Sequence, residues 1–163
     1  MAKEPLIWAP DEGTYVSVMG DTYRILIAGK QTDNAYAAID MLVPTGGGPG
    51  PHAHPDFEET FYVIEGEIEV TSETGTYIAG KGSYVVIPKG GMVHQFKNKA
   101  ETTAHLLCVV VPSGLEELFL EAGTRVEAGR FLPPPDQSCL EKLKAVAEKH
   151  GQQLFPPDYF RHN

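Results

Sequence analysis

An all-β fold is what the pattern of this chain predicts, on three observations. Between about residues 14 and 111, short apolar or alternating runs follow one another with turn residues between them, which is the signature of many antiparallel strands. Glycines at Gly20, Gly66, Gly75, Gly80 and Gly82 punctuate these runs and supply the backbone freedom that tight reversals need. No helical period separates the runs, so a parallel sheet is disfavoured and a sandwich or small barrel is expected.

Taken in order, the expected strands are Thr14–Val18, Tyr23–Ile27, Tyr36–Val43, Phe61–Glu65, Glu67–Ser72, Gly75–Ile78, Ser83–Ile87, Val93–Asn98 and Thr103–Val111. Within the last of these, Leu106–Val111 lacks polar alternation, so it is expected to be buried on both faces or to lie at an oligomer interface. After Pro112 the character changes. Ser113-Gly-Leu-Glu116 resembles a capping box, and Leu118, Phe119 and Ala122 run on to Gly123 as a stop, which predicts a short helix. Pro133, Pro134 and Pro135 predict a stiff extended connector. Ser138-Cys-Leu-Glu141 then opens a helix to about His150, with Leu140, Leu143, Val146 and Ala147 as its apolar face. So small a face must pack on the strands or on a partner. The tail Phe155-Pro-Pro-Asp-Tyr-Phe is aromatic enough to dock. The chain therefore reads as one domain with residues 1–112 as its β part and residues 113–163 as a C-terminal helical extension, packing on that part or on a partner subunit.

With 163 residues, one well-buried core is affordable and two ordinary domains are not. A formal net charge of −9 repels phosphate backbones and anionic lipid surfaces, so the expected partner is a small molecule rather than nucleic acid or membrane. Two cysteines, Cys108 in an apolar run and Cys139 near a helix start, fit a reducing compartment. Residues 1–10 carry an acidic residue and two prolines where a secretory leader needs an apolar stretch, so a cytoplasmic protein is expected.

The chemistry concentrates in two segments. His52 and His54 are one residue apart, and side chains alternate along a strand, so both imidazoles can converge on one ion. Glu59 and His94 complete the set. Glu59 lies five residues beyond His54, an odd separation that would put it on the opposite face of an unbroken strand; a turn or bulge at Pro55-Asp56 brings it back. Phe61 and Val63 share its face, and His94 shares one with Phe96. Three imidazoles and a carboxylate suit Fe, Mn, Co, Ni, Cu or Zn with one or two exchangeable positions. Such an ion can polarise a carbonyl or enolate oxygen or bring dioxygen next to a chelated substrate, with Glu59 as the nearby proton acceptor and hence the candidate catalytic base.

At these residues the chain resembles the cupin superfamily. The first cupin motif, G-x5-HxH-x3-4-E-x6-G, is matched by Gly46, His52, His54, Glu59 and Gly66. The second, G-x5-PxG-x2-H-x3-N, is matched by Gly82, Pro88, Gly90, His94 and Asn98, except that three residues rather than two separate Gly90 from His94. The resemblance implies a double-stranded β-helix, an antiparallel barrel with the metal in its wider mouth, and it covers a motif core at residues 30–112. The single domain, the Gly/Pro stretch before His52 and the C-terminal helix look most like small bacterial cupins of the quercetin 2,3-dioxygenase-like type. The function this implies is a metal-dependent oxidoreductase acting on a small aromatic or enolisable substrate. A metal-assisted isomerase or lyase and a non-catalytic metal-containing sensor are the alternatives, because one barrel serves many reactions.

Tyr36, Met41, Phe61 and Phe96 are candidate pocket-lining residues, with simple core as the plainer reading. His105 reads as a partly buried, hydrogen-bonded residue, His150 and His162 as solvated, Glu58 as outward-facing and Cys108 as core. Sheet edges and the apolar last strand point to a homodimer.

Overall fold

The computed structural model describes residues 4–161. The chain order is β1 (Thr14–Val18), β2 (Asp21–Ile27), a single helical turn α1 (Gly29–Thr32), β3 (Ala37–Val43), β4 (His52–Ala53), β5 (Glu58–Glu65), β6 (Glu67–Ser72), β7 (Gly75–Gly80), β8 (Tyr84–Ile87), β9 (His94–Lys97), β10 (Ala104–Val111), α2 (Leu115–Ala122), β11 (Thr124–Arg125), α3 (Gln137–Lys149), β12 (Gln153–Leu154) and a 3-10 turn at Tyr159–Arg161. The strands form two antiparallel sheets. One runs β11-β1-β2-β3-β10-β5-β8 and the other β12-β4-β9-β6-β7. The architecture is all-β with a short helical extension.

Period-two alternation explains why these segments are strands. β3 turns Ala37, Ile39, Met41 and Val43 inward, β5 turns Glu59, Phe61 and Val63 inward, and β10 does so with Ala104, Leu106, Cys108 and Val110. Ile68 and Val70 of β6 and Phe96 of β9 belong to the same buried cluster. A fully buried side chain of this kind stabilises the fold by about 1.5–3 kcal/mol. The expectation for Leu106–Val111 is corrected in one respect: its burial alternates, and Val111 is 50% exposed. Its inner row fills the core, while the outer row joins Tyr62, Ile64, Tyr84 and Val86, which are exposed among the described residues.

The helix starts also differ from expectation. The capping box at Ser113 does not form: α2 begins after Gly114, at φ +145, without a side-chain cap. Glu116 instead accepts from the backbone N–H groups of Gly114 (2.7 Å) and Gly29 (2.8 Å), tying the starts of α1 and α2 together. Helix α3 is capped by Asp136, whose carboxylate accepts from Cys139 N at 3.0 Å, two residues before the expected opening at Ser138. Val146 and Ala147 reach the core.

Two connections position the site. The loop from β3 to β4 is pressed inward at Gly48, where φ is +104 and an added Cβ would collide with the Phe96 carbonyl; only glycine fits both constraints. Buried Asp21 accepts from Gly48 N at 3.1 Å and from the Tyr23 hydroxyl at 2.9 Å, and Lys97 Nζ donates to the Gly48 carbonyl. The second connection is the chain's return through β12, which pairs with β4 so that Leu154 stands opposite His52. Among the described residues, no helix is long and apolar enough to cross a membrane.

Candidate metal centre

The four residues singled out by their spacing come together. His52, His54, Glu59 and His94 are all buried, and one donor atom from each lies within 4.8 Å of the others. Strand β4 carries His52, and the chain bends at Pro55-Asp56 before β5 begins at Glu58. That bend resolves the odd separation, since Glu59 now faces inward with Phe61 and Val63 while Glu58 faces out. The three-residue spacer before His94 is absorbed at Gly90 and Gly91, both at positive φ, with Gly90 N donating to Pro55 O. His94 then pairs directly with His52 across β4 and β9.

Each imidazole is fixed from behind by a carbonyl. His52 Nδ1 lies 2.9 Å from Gly50 O, His54 Nδ1 3.2 Å from Phe57 O, and His94 Nδ1 3.0 Å from Met92 O. A carbonyl only accepts, so each Nδ1 carries a proton and each ring turns its Nε2 to the centre. His54 Nε2 is 3.2 Å from His94 Nε2 and 3.0 Å from Glu59 Oε2, with His94 Nε2 at 3.4 Å from the same oxygen. Nitrogens and a carboxylate oxygen that close need a proton or a cation between them. Donors each about 2.1 Å from one ion stand about 3.0–3.4 Å apart in octahedral or tetrahedral arrangements, so the observed spacings fit a bound transition metal.

The electrostatics agree. Burial, with the neighbouring His94 adding to the effect, pushes His52 down to about 3, so it stays neutral and available as a ligand. Burial also opposes charge on His54, yet its contact with Glu59 outweighs that and raises it above the ordinary value. Burial would raise Glu59, but hydrogen bonds with His54 and His94 hold its carboxyl far below the usual range. The cluster without metal therefore keeps an anion that recruits a proton, and a cation can take that proton's place.

A cavity of about 520 Å³ opens onto His52 and Glu59. Met41 and Phe96 line it, as expected. Two other candidates do not. Tyr36 precedes β3 in the turn after α1 and is 40% exposed, because the inward row of β3 starts only at Ala37. Phe61 is fully buried against Phe96, with ring centroids 5.2 Å apart, and belongs to the core behind the site.

Sequence reasoning missed several neighbours. Phe57 stacks on His54 with centroids 4.2 Å apart. Cys108 Sγ lies 3.5 Å from Glu59 Oε1; its place on the inward row of β10 was readable, but its contact needed the strand register. Tyr23 and Phe119 line the cavity, with ring centroids 4.6 Å apart and planes tilted by 46°. Elsewhere, His105 is half-buried on Asp40, as expected, whereas His150 is not simply solvated, lying 2.8 Å from Glu121 Oε2. His162 lies outside the described residues. Asn98 is structural, donating to Val43 O and Thr102 O.

Fold and cluster together define a metal-binding β-barrel protein, and comparison with known families agrees. The cupin domain model matches residues 39–110, the stretch that holds all four cluster residues, and over that stretch the chain is similar to the cupin superfamily. Quercetin 2,3-dioxygenase of Aspergillus japonicus is 28% identical over 87% of this chain and 45% of its own length. The Bacillus subtilis enzyme of the same name is 25% identical over 94% of this chain and 45% of its own. The chain thus spans less than half the length of these relatives. A predicted oxalate decarboxylase from Thermotoga maritima superposes with a TM-score of 0.60 at 16% identity, over 66% of this chain and 99% of that one, a likeness of fold.

Proposed function

We propose that the protein is a metal-dependent cupin oxidoreductase of the quercetin 2,3-dioxygenase-like type, acting on a small aromatic or enolisable molecule. The observation that carries the metal is the convergence of Nε2 nitrogens and a carboxylate at 3.0–3.4 Å with every Nδ1 held by a carbonyl. His52, His54, Glu59 and His94 would hold one divalent transition ion. When bound, that ion supplies Lewis acidity to a substrate oxygen and, if redox-active, a route to dioxygen.

The chain's own residues do the rest. The apolar cavity excludes water from the substrate and orients a ring against Phe96, Phe119 and Met41. Glu59 would accept the substrate's proton at a carboxylate oxygen. A cavity open to the cluster favours turnover over a sealed sensor.

The test is oxygen uptake with a panel of flavonols and 1,3-diketones, after reconstitution with Fe, Mn, Co, Ni, Cu and Zn in turn. Uptake with a defined product supports the reading. Conversion without oxygen points to an isomerase or lyase, and no turnover with any pairing overturns the enzymatic reading. We also read the chain as a homodimer, through the uncovered outer row of β10, β5 and β8, where two-fold packing buries one self-complementary apolar face.

A further inference from the structure

The C-terminal extension supplies much of the cavity's lining. Leu140, Leu143 and Lys144 come from one face of α3, Leu154 from β12, and Gln152 and Phe155 from either side of that strand. The inner half ends on His52 and Glu59; between the two ends the walls are apolar, and the Tyr23 hydroxyl is committed to Asp21. Charge is therefore offered at two places only, the buried cluster and the rim.

At the rim the charge is Lys144. It follows Leu140 by four residues and Leu143 by one, so it projects from the cavity-facing side of the helix while its tip reaches water. Lys81, Lys99 and Lys149 each pair with a glutamate, whereas Lys144, among the described residues, makes no ion pair. An unpaired ammonium at the mouth of an otherwise apolar cavity, in a chain of net charge −9, is a local exception to the field of the whole protein.

Resting on the reading of this cavity as the substrate site, we propose that the extension sets the substrate class. The site selects an apolar, ring-sized molecule that carries a negative group at the end remote from Glu59, and Lys144 is the specificity-determining residue that meets it. A carboxylate, sulfonate or phosphate at that end satisfies the same ammonium.

A matched pair of fluorescent probes tests this on the full chain: 1-anilinonaphthalene-8-sulfonate, and the neutral N-phenyl-1-naphthylamine of nearly the same shape. Lys144→Gln is expected to weaken the sulfonate about 5-fold, as a solvent-accessible ion pair would, and to leave the neutral probe unchanged. Lys144→Arg should restore the sulfonate. Equal effects on both probes, or none, overturn the proposal, including the case in which the sulfonate binds only to the outer sheet face. Metal content measured on the same samples separates the two readings. Protein that loads no metal but keeps the Lys144-dependent preference removes only the metalloenzyme; loaded protein without the preference removes only this proposal.

Discussion

Glu59 stands where ligation and proton transfer meet on one carboxylate, with Oε2 against two imidazoles and Oε1 against the Cys108 thiol. Glu59→Gln keeps the shape and removes the charge. Partners that only orient ligands are worth 10–100-fold in affinity, so loss of this direct donor should weaken metal binding by at least about 100-fold, read by competition with a chelator. Unchanged affinity would remove Glu59 from the ligand set. Asp21 gives a pH prediction away from the cluster. Burial lifts its carboxyl from 3.8 to about 6, against the opposing pull of Tyr23, Gly48 N–H and Lys97. Because the folded value lies above the unfolded one, the folded state holds the proton more tightly. The contribution to stability is therefore fullest below pH 4 and is lost as pH rises through about 6, amounting to about 3 kcal/mol. Urea denaturation of the wild type and of Asp21→Asn should show the difference between the two growing as pH goes from 4 to 7. A constant difference would refute the assignment.

Strand β4 is two residues long and carries His52, so its position depends on its neighbours: β9 on one side and β12 on the other. Removing residues 151–163 should leave the barrel folded by circular dichroism yet lower metal affinity by about 10–100-fold, because the backbone that aims His52 loses one of its two supports. Full affinity in the truncated chain would show that β9 suffices. The same element marks where the sequence was legible and where it was not. Strands such as β6, at Glu67–Ser72, announced themselves because five or more residues of alternation fix a period. β4, β11 and β12 have two residues each, too few for any period, and exist only because tertiary neighbours pair with them. The caps failed for a related reason. Ser113 has the right chemistry, but Glu116 was taken by two backbone amides, one of them from Gly29, far away in sequence. The four-residue cluster was legible because its spacings are local, and its one parity conflict, between His54 and Glu59, correctly marked the Pro55-Asp56 bend. Tyr36 misled because a strand's first residue cannot be assigned a face until its start is known.

At the scale of the molecule, seven strands share one sheet whose outer face is covered at β2 by the N-terminal segment, through Arg24 bonds to Ala9 and Glu12. At β5 and β8 it is bare. Tyr84 is 65% exposed and Val86 48%. Val86→Lys is expected to convert a dimer to a monomer in sedimentation while leaving the circular dichroism spectrum of the fold unchanged. A wild type that sediments as a monomer would overturn the face-packing reading. The pairing of Leu154 with His52 also has a consequence in time. During synthesis the strand that carries the first histidine emerges long before the strand that braces it. The pocket is therefore not closed until Leu154 has emerged, and a nascent chain short of it cannot yet present the finished site to a metal.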